Sequence, residues 1–227
     1  MKIAIHQPQY LPWLGYFDKM DNSDVFVLLD DVQYKKNEWQ NRNKIRTAPS
    51  WQWLTVPVIF EHGQKINEIT IDNHRDWRSK HLRSFEMNYS RSPYYEDHIG
   101  FFRDSYTKDW NLLVDINDYF IEYLKKALGI NTELVKASSL KITSTGTERL
   151  IDICKVLKAD TYLAGSGSAD YMDAELFKKN GIKTEVQEFS HPKYKQVFAG
   201  FEPYMSAVDL LFSSGKDSLK IIREGRK

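Results

Sequence analysis

The chain of 227 residues has one cysteine, Cys154. That excludes a disulfide scaffold and a cysteine-rich zinc site. It also lacks an excess of charge: 32 Lys and Arg stand against 31 Asp and Glu, a formal net charge of +1. A strongly basic nucleic-acid surface is thereby excluded in bulk. No apolar run approaches the ~20 residues a membrane-spanning helix needs, and mean hydropathy is −0.55. The opening MKIAIHQPQYLPW does not read as a signal peptide, so the expected setting is the cytoplasm. Neither the phosphate-loop pattern Gly-x-x-x-x-Gly-Lys-Ser/Thr nor His-Glu-x-x-His is found. Internal repeats and low-complexity segments are missing too. What the chain has in quantity is aromatic side chains, 14% of residues, with 6 Trp, 13 Tyr and 12 Phe.

Hydrophobic patterning gives the order of elements. MKIAIH and VFVLLD read as buried strands, since both are short apolar runs with β-branched residues. WQWLTVPVIF reads as a strand held to an edge or an end by Pro57, and KINEITIDN as another. Between them, DDVQYKKNEWQNRNKIRT is polar and reads as a loop with one helical turn. From Asp76 the period changes: Trp77, His81, Leu82 and Phe85 recur at helical spacing, and Pro93 ends that helix. The stretch from Tyr94 to Gly129 reads as one broken helix or two, with Gly129 at a C′ position. NTELVKAS is a short strand. TERLIDICKVLKA is a helix opened by Ser144 or Thr145, with Glu148 completing a capping box on Thr145. DTYLAG is a strand running into the loop GSGSADY, MDAELFKKNG a helix, IKTEVQEF a strand, and Ser206 to Gly215 a helix. Strands and helices in this order predict an α/β fold with a parallel sheet covered on both faces. The expectation is a single domain, 1–227, interrupted by a helical insertion at 76–128.

Chemistry is expected in the loops. His6, Gln7 and Gln9 stand at the carboxyl end of the first strand, where open α/β sheets bind ligands, with Tyr10, Trp13 and Tyr16 close by. The alternative is a stiff turn shaped by Pro8 and Pro12. Asp30 and Asp31 end the second strand on opposite faces. One of them can serve Mg²⁺ bound with a nucleotide, or else cap a helix or form an ion pair. Arg42, Asn43 and Lys44 offer cations beside amides for a phosphate or carboxylate, or form a solvated loop. Gly165, Ser166 and Gly167 make a turn whose N–H groups can cradle an anion, or an ordinary connection. His191, Tyr194 and Gln196 repeat the composition of the first loop and can line the same cleft. SSGKDS at 213–218 is set aside as a phosphate loop because a helical pattern, not a strand, precedes it. Cys154 and His81 both fall on apolar helix faces and read as core.

Taken together, IHQPQYLPWLGYFDKM, LLDDVQYKKNEWQNRNKI, ERLIDICKVLKADTYLAGSGSADYMD and HPKYKQVFAGFEPYMSAVDLLFSSG resemble the WbqC-like protein family across essentially the whole chain. Its members occur in gene clusters for O-antigen and other surface polysaccharides, and some carry the label glycine transferase. The order of parts also resembles the nucleotidylyltransferase-like fold of pantoate–β-alanine ligases. There a His-containing loop follows the first strand and a Gly-containing loop late in the chain touches nucleotide. The His-x-Gly-His and Lys-Met-Ser-Lys-Ser signatures of such enzymes are missing here. The resemblances imply acyl or aminoacyl transfer, glycine transfer among the options, or ATP-dependent amide formation on an amino sugar. The alternative is a non-catalytic protein that binds nucleotide-sugar. On the catalytic reading His6 and Lys44 hold phosphates, Asp31 holds Mg²⁺, and Gly165, Ser166 and Gly167 hold ATP. Gln7, Gln9, Tyr10, Trp13, Tyr16, Gln33, Arg42, Asn43, His191, Tyr194 and Gln196 then face the amino acid or the activated amino sugar. No nucleic-acid partner is expected.

Overall fold

Ile3, Ala4 and Ile5 are almost wholly buried, as a short apolar run covered on both faces must be. They form β1 (Lys2–His6), the central strand of the computed structural model, which describes residues 1–168 and 172–227. After β1 come α1 (Leu14–Asp21) and β2 (Val25–Leu28). A long excursion follows, made of β3 (Arg42–Arg46), β4 (Trp51–Thr55), β5 (Val58–Ile59), β6 (Thr70–Ile71), α2 (Trp77–Tyr89), α3 (Tyr95–Thr107) and α4 (Leu113–Leu128). The chain then returns through β7 (Glu133–Lys136), α5 (Gly146–Val156), β8 (Thr161–Ala164), α6 (Ala174–Lys179) and β9 (Lys183–Val186). It ends in α7 (Ala207–Ser214) and α8 (Ser218–Glu224).

Five strands form one sheet in the order β7-β2-β1-β8-β9, and every pairing in it is parallel. Chain order therefore runs outward from β1 in both directions, the arrangement of Rossmann-like sheets. Alternation along the strands divides the core in two. Ala4, Phe26, Leu28 and Leu163 face α1, α4 and α7. Ile3, Ile5, Val25, Val27, Tyr162 and Ala164 face α5 and α6. The fold is thus α/β with helices on both faces and a helical insertion, as the patterning predicts. Among the described residues no helix is long and apolar enough to cross a membrane.

The excursion between β2 and β7 departs from the linear reading. WQWLTVPVIF and KINEITIDN supply strands, but none joins the main sheet. Pro57 splits the first into β4 and β5, which pair antiparallel with β3 and β6. The polar loop expected around RNKIR is the strand β3. Only Asn43 and Ile45 turn inward along it with Arg46, so its hydrophobic signal is weak. Residues 94–129 make two helices, and Gly129 closes the second with φ +78°, a conformation that favours glycine. Cys154 is buried against the sheet, and burial pushes its thiol up to about 12. The SSGKDS segment joins α7 to α8. A Cβ on its Gly215 would meet the Tyr94 ring at 2.4 Å, so this glycine serves helix packing. The end of the loop expected at 165–171 lies outside the described residues.

Candidate functional site

β1 and β8 part company before β1 ends. Their pairing stops at Ala4 and Leu163, whereas β1 stays paired with β2 as far as His6 and Leu28. A crevice therefore opens at Ile5, between the two strands from which the sheet is wound in opposite directions. That is the switch point at which open α/β sheets bind ligands. The crevice widens into a cleft of about 720 Å³. One wall is the end of β1 with Ile5, His6 and Gln7, and α1 adds Gly15, Tyr16 and Lys19. The other wall is the loop Gly165–Gly167 together with Gly146, Thr147 and Arg149 at the start of α5.

Each wall has a local cause. The His6 Nδ1–H donates to the Gln7 carbonyl at 3.1 Å, and the His6 ring meets Tyr16 edge-on at 4.9 Å. Solvent reaches His6 through the cleft while the rest of the ring is enclosed. Burial first, and Lys19 second, push its pKa down to about 3. In the unliganded cleft His6 is therefore a neutral imidazole, and with Nδ1–H on the Gln7 carbonyl its Nε2 is an acceptor. Gln40 Nε2 donates to Gln7 Oε1 at 2.7 Å and so fixes the Gln7 amide. Trp13 lies against α1 because residue 15 is glycine: a Cβ there would stand 2.3 Å from Trp13 Cη2. Gln187 Nε2 holds the same turn through Gly15 O at 2.8 Å and Asp18 at 2.7 Å. The Lys19 ammonium group donates to Ile5 O at 2.8 Å, occupying a strand carbonyl left bare where β8 diverges.

The opposite wall is built for negative charge. Gly146 has φ +57° and open space where a Cβ would point, and Gly167 also faces open space. Thr145 precedes α5 in extended conformation but makes no side-chain cap, so the expected capping box does not form. The first N–H groups of α5 therefore have no side-chain acceptor from Thr145, and Gly146 and Thr147 line the cleft. Lys19, Lys35 and Arg149 line the cleft, and no described lining residue is a carboxylate.

Several residues expected here lie elsewhere. Both Asp31 oxygens accept from Arg149 Nη2 at 2.5 Å, so the ion-pair alternative is realised. Asp30 accepts from Ser138 N and Oγ at 2.9 and 2.6 Å, closing the turn after β7. Among the described residues no group of three His, Cys, Asp or Glu can hold a metal. Tyr10 is fully buried in the helical core, its hydroxyl bonded to His81 and Tyr106 at 2.8 and 2.7 Å. Gln9 is buried outside the cleft, and Gln33 is exposed on a bridge to Lys65. Asn43 donates to Leu11 O at 2.8 Å and pins the proline turn from behind. Lys44 and Arg42 sit on the β3–β4 ribbon at 4.7 Å from the Trp51 ring and 4.4 Å from the Trp53 ring. They are cations stacked on indoles outside the cleft, not phosphate ligands within it. Tyr194 and Gln196 donate to buried Asp209 at 2.7 and 2.9 Å, with Tyr89 donating to its other oxygen. His191 touches the site indirectly, stacked on Trp13 at 6.3 Å.

The cleft thus gathers His6, Gln7, Trp13, Tyr16, Gly165, Ser166 and Gly167 from the expected residues. It adds Lys19, Lys35, Gly146, Arg149 and Gln187, which the sequence did not single out. For Arg149 the only signal was its place one turn inside a helix that follows a strand of the parallel sheet.

No solved structure matches the chain at a significant level. It is 34% identical to Uncharacterized protein Rv1507c of Mycobacterium tuberculosis, across 100% of this chain and 99% of that protein. The model of the WbqC-like protein family matches residues 7–221. The chain therefore belongs to the WbqC-like protein family, a membership that links it in general terms to surface-polysaccharide pathways.

Proposed function

We propose that this chain is an acyl- or aminoacyl-transfer enzyme of surface-glycan assembly, which joins glycine or a similar small acid to an amino sugar. The observation that carries this reading is the switch-point cleft, lined by Lys19, Lys35 and Arg149 and by the glycine-containing turns at 146–147 and 165–167, with no described carboxylate. Such a lining suits a phosphate group, and its position suits a nucleotide. The N–H groups at 165–167 and at the start of α5 hold the phosphates, with Lys35 supplying positive charge and the Arg149–Asp31 pair bordering them. Trp13 gives the sugar a flat apolar wall, and the Gln7 amide orients its polar groups.

In the ATP-dependent form the acid's carboxylate attacks the α-phosphate and pyrophosphate leaves, giving an acyl adenylate. The amine of the sugar then attacks the acyl carbon and AMP leaves. The enzyme's part is positioning and electrostatic stabilisation of phosphate charge. Mg²⁺ accompanies ATP in such reactions. Asp31 is engaged by Arg149 through both oxygens, and no step here relies on a metal. The test is pyrophosphate exchange into ATP with each small amino acid in turn. Exchange with glycine or a close analogue supports the reading. No exchange with any acid refutes the ATP-dependent form.

A further inference from the structure

Lys19 is the most buried of the described cations lining the cleft, 2% exposed. It projects from α1 to the point where β1 and β8 separate, and one donor is engaged by Ile5 O. The groups around it offer no counter-charge. The other titratable groups lining the cleft are His6, which is neutral, Tyr16, Tyr162, Lys35 and Arg149, the last already paired with Asp31. The neighbouring Asp18 carboxylate is turned away and held by Arg226 and Gln187 at 2.8 and 2.7 Å. No described carboxylate forms an ion pair with Lys19. A lysine so placed loses its proton more readily than one in water. Burial pushes this amine down to about 7.

We propose that Lys19 is the base of the cleft, its neutral amine taking the proton that an acceptor amine must lose as it is acylated. This rests on the transfer reading above. In the step, the acceptor nitrogen bonds to the acyl carbon. The bond from that carbon to the phosphate oxygen breaks, and its electron pair leaves with the phosphate. The proton on the nitrogen passes to Lys19 Nζ, which becomes an ammonium.

The amine can be tested without substrate by carbamylation with cyanate, which adds to neutral amines and is small enough to enter the cleft. At neutral pH an amine titrating near 7 has roughly a thousand-fold larger neutral fraction than an ordinary lysine. Mass mapping of the wild-type chain should find Lys19 modified ahead of surface lysines, with its rate rising through neutral pH. Lys19→Met should then lower amide formation far more than pyrophosphate exchange, which involves no acceptor amine. The loss of amide formation should be about 10²–10⁴-fold, the usual yield of a positioned base. A Lys19 that stays unmodified, or follows the surface lysines, overturns the proposal even if the variant does not fold. Failure of the transfer reading itself is seen separately, as a wild type without exchange.

Discussion

Replacing Asp31 with alanine tests whether this carboxylate is a structural partner or a metal ligand. The Asp31 and Arg149 side chains are 14% and 10% exposed, and two contacts of 2.5 Å join them. Among the described residues Arg149 is otherwise satisfied by the Ile142 and Ser144 carbonyls at 2.7 and 3.2 Å, and its Nε has no partner there. Removing the carboxylate leaves a guanidinium in a site with little water. Breaking a buried pair costs about 3–5 kcal/mol. The pair borders a cleft that water enters, so about 3 kcal/mol is the expected loss. For a chain of this size that lowers Tm by about 6–12 °C, readable by scanning calorimetry. In an Arg149→Met background the same Asp31→Ala change should cost under about 1 kcal/mol, a coupling of about 2 kcal/mol. The reasoning is refuted if Asp31→Ala melts with the wild type while Mg²⁺ stabilises the wild type alone. That result would make Asp31 a metal ligand after all.

Other perturbations follow from the same geometry. Asp209→Ala strands three buried donors from Tyr89, Tyr194 and Gln196, each worth about 1–3 kcal/mol. A loss of at least about 3 kcal/mol in urea unfolding is expected, and a neutral outcome would return Tyr194 and Gln196 to a ligand-binding role. Gly15→Ala drives a methyl into Trp13. It should cost about 1–3 kcal/mol and change the near-ultraviolet circular dichroism of the indole, while an unchanged spectrum would count against the contact. Burial lowers His81 to about 3, so the folded state binds fewer protons than the unfolded chain below the ordinary value of 6.5. The stability from keeping it neutral is complete above pH 6.5 and is lost as pH falls toward 3. Between pH 6 and pH 5 the loss is about 1 kcal/mol, which urea titrations of wild type and His81→Gln at the two pH values should resolve.

The parallel sheet could be read from the sequence because its strands are continuous apolar runs, such as IAI and VFVL, that leave little choice of period. The strand β3 could not. Arg42 and Lys44 point toward Trp51 and Trp53 on a partner strand, and a charge covered by an indole looks in sequence like a charge in water. The first loop was placed correctly at the mouth of β1, yet its residues divide by direction. Gln7, Trp13 and Tyr16 face the cleft, whereas Tyr10 turns into the helices that enter only after residue 76. Lys19 carries no signal in the sequence, because a lysine on a short helix normally reaches solvent. Its burial depends on the divergence of β1 from β8, and Thr161–Ala164 is far away in the chain. The Asp31–Arg149 pair spans 118 positions, so no local pattern announces it. The aromatic excess resolves into a helical core around Phe85, Phe102 and Phe212, a cleft wall at Trp13 and Tyr16, and the indoles of the β3–β4 ribbon.

The central claim is that the switch-point cleft binds a phosphate. Gly167 has open space where a Cβ would stand, so Gly167→Asp introduces a negative charge there with the fold undisturbed. Calorimetric titration with ATP should show binding to the wild type and at least about tenfold weaker binding to the variant, since like charges brought together cost several kcal/mol. Equal affinity in the two chains, or no binding to the wild type, would contradict the account.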